Sequence, residues 1–113
     1  MYEVEPLDEQ ADIVVQSELV ANEPLPPGLQ DPRTAAILAS PLSPELHERY
    51  DGRVVLVHST KLSRLRLAVA MHHVVDGPDG AVSNIGASPN LGRVTVATQL
   101  APGHSLRIVK FVS

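Results

Sequence analysis

Short β-branched runs, each closed by a turn dipeptide, constrain this chain more than any other feature. Asp12-Ile13-Val14-Val15-Gln16-Ser17-Glu18-Leu19-Val20 ends at Asn22-Glu23-Pro24, and Val54-Val55-Leu56-Val57 follows Asp51-Gly52. Arg64 to Val74 alternates, with Leu65, Leu67, Val69 and Met71 on one side and Arg64, Arg66, Ala68, Ala70 and His72 on the other. Period-two patterning of this kind is the mark of a half-buried strand. The sum predicts a mainly β chain with antiparallel strands arranged as a sandwich.

The turn chemistry fixes the expected pairings. Asp51-Gly52 suits a type I′ turn, where both central residues need positive φ. It predicts that Tyr50 pairs with Arg53, Glu48 with Val55, Leu46 with Val57 and Glu45 with His58. The competing reading caps a helix over Glu45 to Tyr50 with Ser43 and Pro44. Asp76-Gly77-Pro78-Asp79-Gly80 is turn-forming throughout, a weaker strand is expected at Ala81 to Ile85, and Gly86 to Asn90 reads as a loop. Pro102-Gly103 suits a type II turn and predicts a final hairpin, with Val96 facing Val109 and Val94 facing Phe111 on a core side. Thr95 and Lys110 then share the opposite face. Pro24-Leu25-Pro26-Pro27-Gly28 predicts an exposed loop, and Asp31-Pro32 opens one short helix that Ser40-Pro41 ends.

Composition narrows the function classes. The chain has 113 residues, enough for one domain or a piece of one. Its 43% hydrophobic content is globular, but aromatics are only 3%: Tyr2, Tyr50 and Phe111. Aromatic platforms for sugar binding are therefore scarce. A net charge of -4 with scattered Lys and Arg argues against a nucleic-acid surface. With no cysteine there is no disulfide framework, thiolate metal site or cysteine nucleophile. No apolar run approaches a membrane span, and the acidic start Met1 to Pro6 lacks the plan of a signal peptide, so a soluble, cytoplasmic chain is expected.

No catalytic, cofactor-binding or metal site assembles from the residues. His72 and His73 are adjacent in a predicted strand and leave on opposite faces, which puts His73 at a sheet edge or interface. Ser59, His58 and Asp76 carry the types of a hydrolytic triad but no nucleophile elbow surrounds them. Glu45 and Glu48 read as solvated charge, and Asp76 and Asp79 as turn formers, rather than as an acid–base pair. Gly77, Gly80 and Gly86 read as turn glycines, with no phosphate-loop spacing. No internal repeat is apparent. The run Arg107 to Ser113 has no closing turn, and the start is equally abrupt, so a piece of a longer polypeptide is expected.

Four segments, in order, carry a resemblance. Val15-Gln16-Ser17-Glu18-Leu19-Val20-Ala21-Asn22-Glu23 resembles a segment of glycoside hydrolase family 65, as does Asp31-Pro32-Arg33 followed by Ala36-Ile37-Leu38 and Pro41-Leu42. Ala70-Met71-His72-His73-Val74-Val75 is similar to a strand of that family, and Leu100 to Phe111 to another. The family contains maltose, trehalose and kojibiose phosphorylases and related hydrolases. The resemblance implies the later part of an N-terminal β-supersandwich, galactose-mutarotase-like, in a longer enzyme. The catalytic glutamate and any phosphate site would belong to an (α/α) barrel elsewhere in the parent. This domain would then pack on the barrel, shape the site entrance and contribute to a homodimer. Inorganic phosphate would be needed only by a phosphorylase parent. The loop Pro24 to Asp31 would contact the barrel or a neighbouring subunit. The rival expectation is a stand-alone β-sandwich that binds carbohydrate or protein.

Overall fold

A computed structural model describes residues 1–24 and 40–113. The expected short helix over 31–39 and nearly all of the Pro24–Asp31 loop lie outside the described residues. Within them the chain forms eight strands and no helix: β1 (Tyr2–Val4), β2 (Ala11–Val20), β3 (Leu42–Tyr50), β4 (Arg53–Thr60), β5 (Arg66–Asp76), β6 (Val82–Ser88), β7 (Leu91–Leu100) and β8 (Leu106–Val112). They build two antiparallel sheets. Sheet A has the order β1-β8-β5-β4-β3, and sheet B the order β2-β7-β6. The mainly β, antiparallel, sandwich-like fold expected from the sequence is the one formed.

The Asp51-Gly52 turn is present, with φ of 46° and 75°, and nucleates the β3–β4 hairpin in place of the alternative helix. Tyr50–Arg53, Glu48–Val55 and Leu46–Val57 pair as expected. The fourth expected pair does not form: Pro44, not Glu45, faces His58, because the register shifts between Pro44 and Leu46. Pro44 cannot donate a ladder hydrogen bond, and an edge strand with a local irregularity is where a sheet tolerates it.

Two other boundaries differ from expectation. Arg64 lies outside β5, with φ 55°, in a turn held by Arg64 N–H on Thr60 O at 3.0 Å and Leu65 N–H on Thr60 Oγ1 at 2.8 Å. A side-chain acceptor inside the turn thus outcompetes extension of the strand. β6 runs through Gly86 to Ser88, so Gly86 is a strand residue and the turn is only Pro89-Asn90, between the paired Ser88 and Leu91.

The largest correction concerns β7 and β8. The Pro102-Gly103 turn forms, with Gly103 at φ 83° and His104 N–H on Ala101 O at 3.1 Å. The strands it joins do not pair. β7 lies between β2 and β6, while β8 lies between β1 and β5. Leu100 and Leu106, both fully buried, explain why. They flank the turn and both enter the core, one from each sheet, so the connection arches across the sandwich instead of folding back in one plane. Val109 and Phe111 consequently face out, and Phe111 is 55% exposed.

The core is formed by Val54, Leu56, Met71, Leu106 and Ile108 of sheet A against Val94, Val96 and Leu100 of sheet B. Aliphatic side chains dominate it, as the aromatic-poor composition requires. Gly92 lets the sheets approach: a Cβ there would collide with Val54 Cγ1 and sit 3.3 Å from Met71 Cε.

Candidate functional site

Two polar clusters interrupt this core, and they are where chemistry would have to sit. The first begins at Asn22, whose φ of 55° turns the chain out of β2. Its Oδ1 accepts the Leu42 N–H at 3.0 Å, and its Nδ2 donates to Leu42 O at 2.9 Å and to Asn90 Oδ1 at 3.0 Å. Asn90 Oδ1 is therefore an acceptor, and the His58 Nε2 3.1 Å away carries the proton it receives. His58 is 3% exposed. The cluster ties the end of β2, the start of β3 and the β6–β7 turn to β4. It acts as a clamp, since Asn22 bonds both Leu42 and Asn90, and Asn90 Oδ1 also meets His58. Asn90→Ala strands the His58 N–H and is expected to lower unfolding stability by about 1–3 kcal/mol, measured by urea denaturation.

The second cluster surrounds His73. Met71 and His73 point inward from β5, whereas His72 points out and stacks on Phe111, with centroids 6.5 Å apart. The opposite-face expectation for the two histidines holds. His73 lies between the sheets and not at a sheet edge, since β5 is flanked by β8 and β4. Its Nε2 is 2.9 Å from Ser17 Oγ of β2, and its buried Nδ1 has no partner among the described residues. Burial, followed by the charges of Lys110 and His72, holds the His73 pKa below its ordinary 6.5. Nearby, Lys110 Nζ donates to Glu18 O at 2.7 Å. Glu18 also accepts from Gln16 Nε2 and Arg93, which together hold its carboxyl below the usual range.

A groove of about 580 Å³ opens beside this cluster, lined in part by Tyr2, Ser17, His73, Ile108 and Lys110.

The His73–Ser17 contact is the nearest approach to a base–nucleophile pair. Among the described residues no carboxylate or carbonyl meets His73 Nδ1, where a base–nucleophile pair takes the group that fixes its tautomer and stabilises its cation. A histidine with a lowered pKa binds its proton more readily in the unfolded chain. Its contribution to stability is complete above about pH 6.5 and is lost as the pH falls through the folded value. The urea midpoint is expected to fall between about pH 7.5 and about pH 5, and to fall less in His73→Gln.

The sequence candidates stay apart. His58 pairs with Leu67, and Asp76 lies nine positions further along β5, about 30 Å at the rise of a strand, so Ser59, His58 and Asp76 form no triad. Glu45 is engaged by Arg66 in an exposed ion pair that lowers its pKa, and Glu48 faces Val55. Among the described residues no group of three His, Asp or Glu side chains is placed to hold a metal. Ser17 and the Asn22–Asn90 link were not singled out by sequence. Asn at a turn signals a left-handed residue but not its distant partner.

This geometry defines a class: a two-sheet antiparallel β domain whose buried polar residues clamp strands together. Residues 1–113 match the family described as glycosyl hydrolase family 65, N-terminal domain, and the chain belongs to that family. It is 43% identical over 112 residues to an uncharacterized glycosyl hydrolase present in two strains of Mycobacterium tuberculosis. A glycosyl hydrolase of Mycobacterium leprae, also uncharacterized, shows the same identity over the same length. In each case 99% of this chain aligns with 14% of the relative, so the chain spans about one seventh of these proteins.

Proposed function

We propose that this chain is a non-catalytic domain of a larger, cytoplasmic family 65 enzyme acting on α-glucosides such as maltose, trehalose or kojibiose. The general acid, and in a phosphorylase the phosphate site, lie outside residues 1–113 in this reading. The domain's role is to pack against the catalytic barrel, shape the site entrance and support dimerisation.

One observation carries the packing role: the middle of the outer face of sheet A is an apolar patch, with Glu48, Arg53, Arg66 and Arg107 around it. Outside the core, Leu46 pairs with Val57, Val57 with Ala68, Val55 with Ala70, and Val74 with Val109. Phe111, beside His72, extends the patch, and Leu46, Val74 and Phe111 are 43%, 49% and 55% exposed. An antiparallel sheet with one solvated face alternates apolar and polar residues, and within this patch sheet A does not. A third layer over sheet A accounts for both apolar faces.

Val74→Glu combined with Phe111→Glu tests it. Both side chains are exposed in the 113-residue chain, so its urea midpoint is expected to change little. The same pair in the full-length enzyme is expected to lower thermal stability and α-glucoside turnover together. Full-length enzyme indifferent to both charges would remove the support for packing through this face.

A further inference from the structure

We infer that β2 is an internal strand of the intact protein, paired along its open edge by an extended segment of the same polypeptide from outside these 113 residues. The inference rests on the reading of the chain as one domain of a longer enzyme.

Backbone geometry identifies which groups wait for a partner. Ala21 N–H bonds Asn90 O at 2.8 Å, so the odd-numbered residues of β2 direct their backbone groups to β7. By alternation, Asp12, Val14, Gln16, Glu18 and Val20 direct N–H and C=O to the other side. β2 is an edge of sheet B, with no strand on that side among the described residues. One of these outward groups, Glu18 O, is met by the Lys110 ammonium reaching over from sheet A at 2.7 Å. A side chain there supplies what a strand N–H would.

The edge is also unguarded. β2 is ten residues long, carries no proline, and pairs with β7 over its whole length without a register shift. Natural edges of that length are shortened, bulged, charged inward or covered. Here the inward residues are Ile13, Val15, Ser17 and Leu19, with no charge among them.

The space beside the edge has the matching shape and chemistry. Sheet A continues past β2, and the inner face of β1 is left open there at Tyr2. Tyr2 faces inward, opposite Ile108, yet is 50% exposed. The groove of about 580 Å³ runs between this face and Val14 to Glu18. A strand set about 4.8 Å from β2 occupies that groove. Its backbone satisfies the other even-numbered groups, and an inward apolar side chain covers Tyr2. Main-chain pairing with pockets for alternate side chains is the general mode of strand addition.

Residue-resolved hydrogen exchange on the 113-residue chain and on the full-length enzyme tests this. In the short chain, the amides of Val14, Gln16 and Val20 are expected to exchange fast and those of Val15, Ser17 and Leu19 slowly. In the full-length enzyme the first set is expected to slow by about 100-fold or more. Val14→Pro removes one outward N–H. It is expected to leave the short chain's midpoint nearly unchanged, because an edge strand tolerates proline there, and to destabilise the full-length enzyme. Even-numbered amides that stay fast in the full-length enzyme overturn the inference while leaving the domain reading intact. Protection already present in the monomeric short chain, or appearing only as it dimerises, overturns it in favour of an internal segment or a second copy. A native protein of only 113 residues by immunoblot overturns both the inference and the reading beneath it.

Discussion

Leu106→Ala is expected to destabilise the domain by about 2–5 kcal/mol, seen as a fall of about 1–2 M or more in the urea midpoint. Leu106 is fully buried, starts β8 and sits where the chain has just crossed from sheet B to sheet A. The backbone at Gly77 closes tightly over it: a Cβ at Gly77 would approach Leu106 Cδ1 to 2.9 Å. A side chain held between an arch and a turn leaves a cavity that neither can collapse to fill. Small domains have only about 5–15 kcal/mol of stability, so this loss is a large fraction of the whole. Leu62→Ala serves as the control. Leu62 is 83% exposed, and its replacement is expected to change stability by no more than about 0.5 kcal/mol.

Gly92→Ala is expected to cost about 1–3 kcal/mol by the opposite mechanism, overpacking. The added methyl meets Val54, a β-branched side chain with few rotamers, in the middle of the core, and Met71 closes the other side. A double-mutant cycle separates steric conflict from intrinsic strand propensity. Val54→Ala alone opens a cavity and destabilises. Combined with Gly92→Ala it is expected to cost less than the sum of the two, because each change relieves the other. Strict additivity would mean that the close approach of the sheets at Gly92 is not the source of the effect.

Turn chemistry made the strands legible in advance. Asp51-Gly52 located the β3–β4 hairpin and three of its pairs, because positive φ at two successive residues leaves few alternatives. What it could not convey is which strands become neighbours once a turn is made. Pro102-Gly103 reverses the chain both in a hairpin and in an arch. The choice between them depends on Leu100 and Leu106 both burying, which is a property of two sheets and not of five residues. The same limit applies to the polar clusters. Asn22 and Asn90 are 68 positions apart, and Ser17 and His73 are 56 apart. Nothing in local patterning links either pair. The separation of Ser59, His58 and Asp76 was legible, because His58 and Ser59 alternate across one strand and Asp76 ends another.

The Asn22–Asn90–His58 clamp and the His73–Ser17 contact give the buried polar residues of this domain an architectural meaning without invoking chemistry. They hold the β2, β3 and β4 termini in one arrangement, while the outer face of sheet A and the edge of β2 remain available to the rest of the enzyme. On this account the domain contributes surfaces, and turnover belongs elsewhere in the parent.

The most direct test of that account is an assay of the purified 113-residue chain with maltose, trehalose and kojibiose, with and without inorganic phosphate, beside the full-length enzyme. The account predicts no release of glucose or glucose phosphate by the short chain and clear turnover of an α-glucoside by the full-length enzyme. Robust turnover by the short chain, abolished by His73→Gln or Ser17→Ala, would contradict it and place the chemistry at the His73 groove.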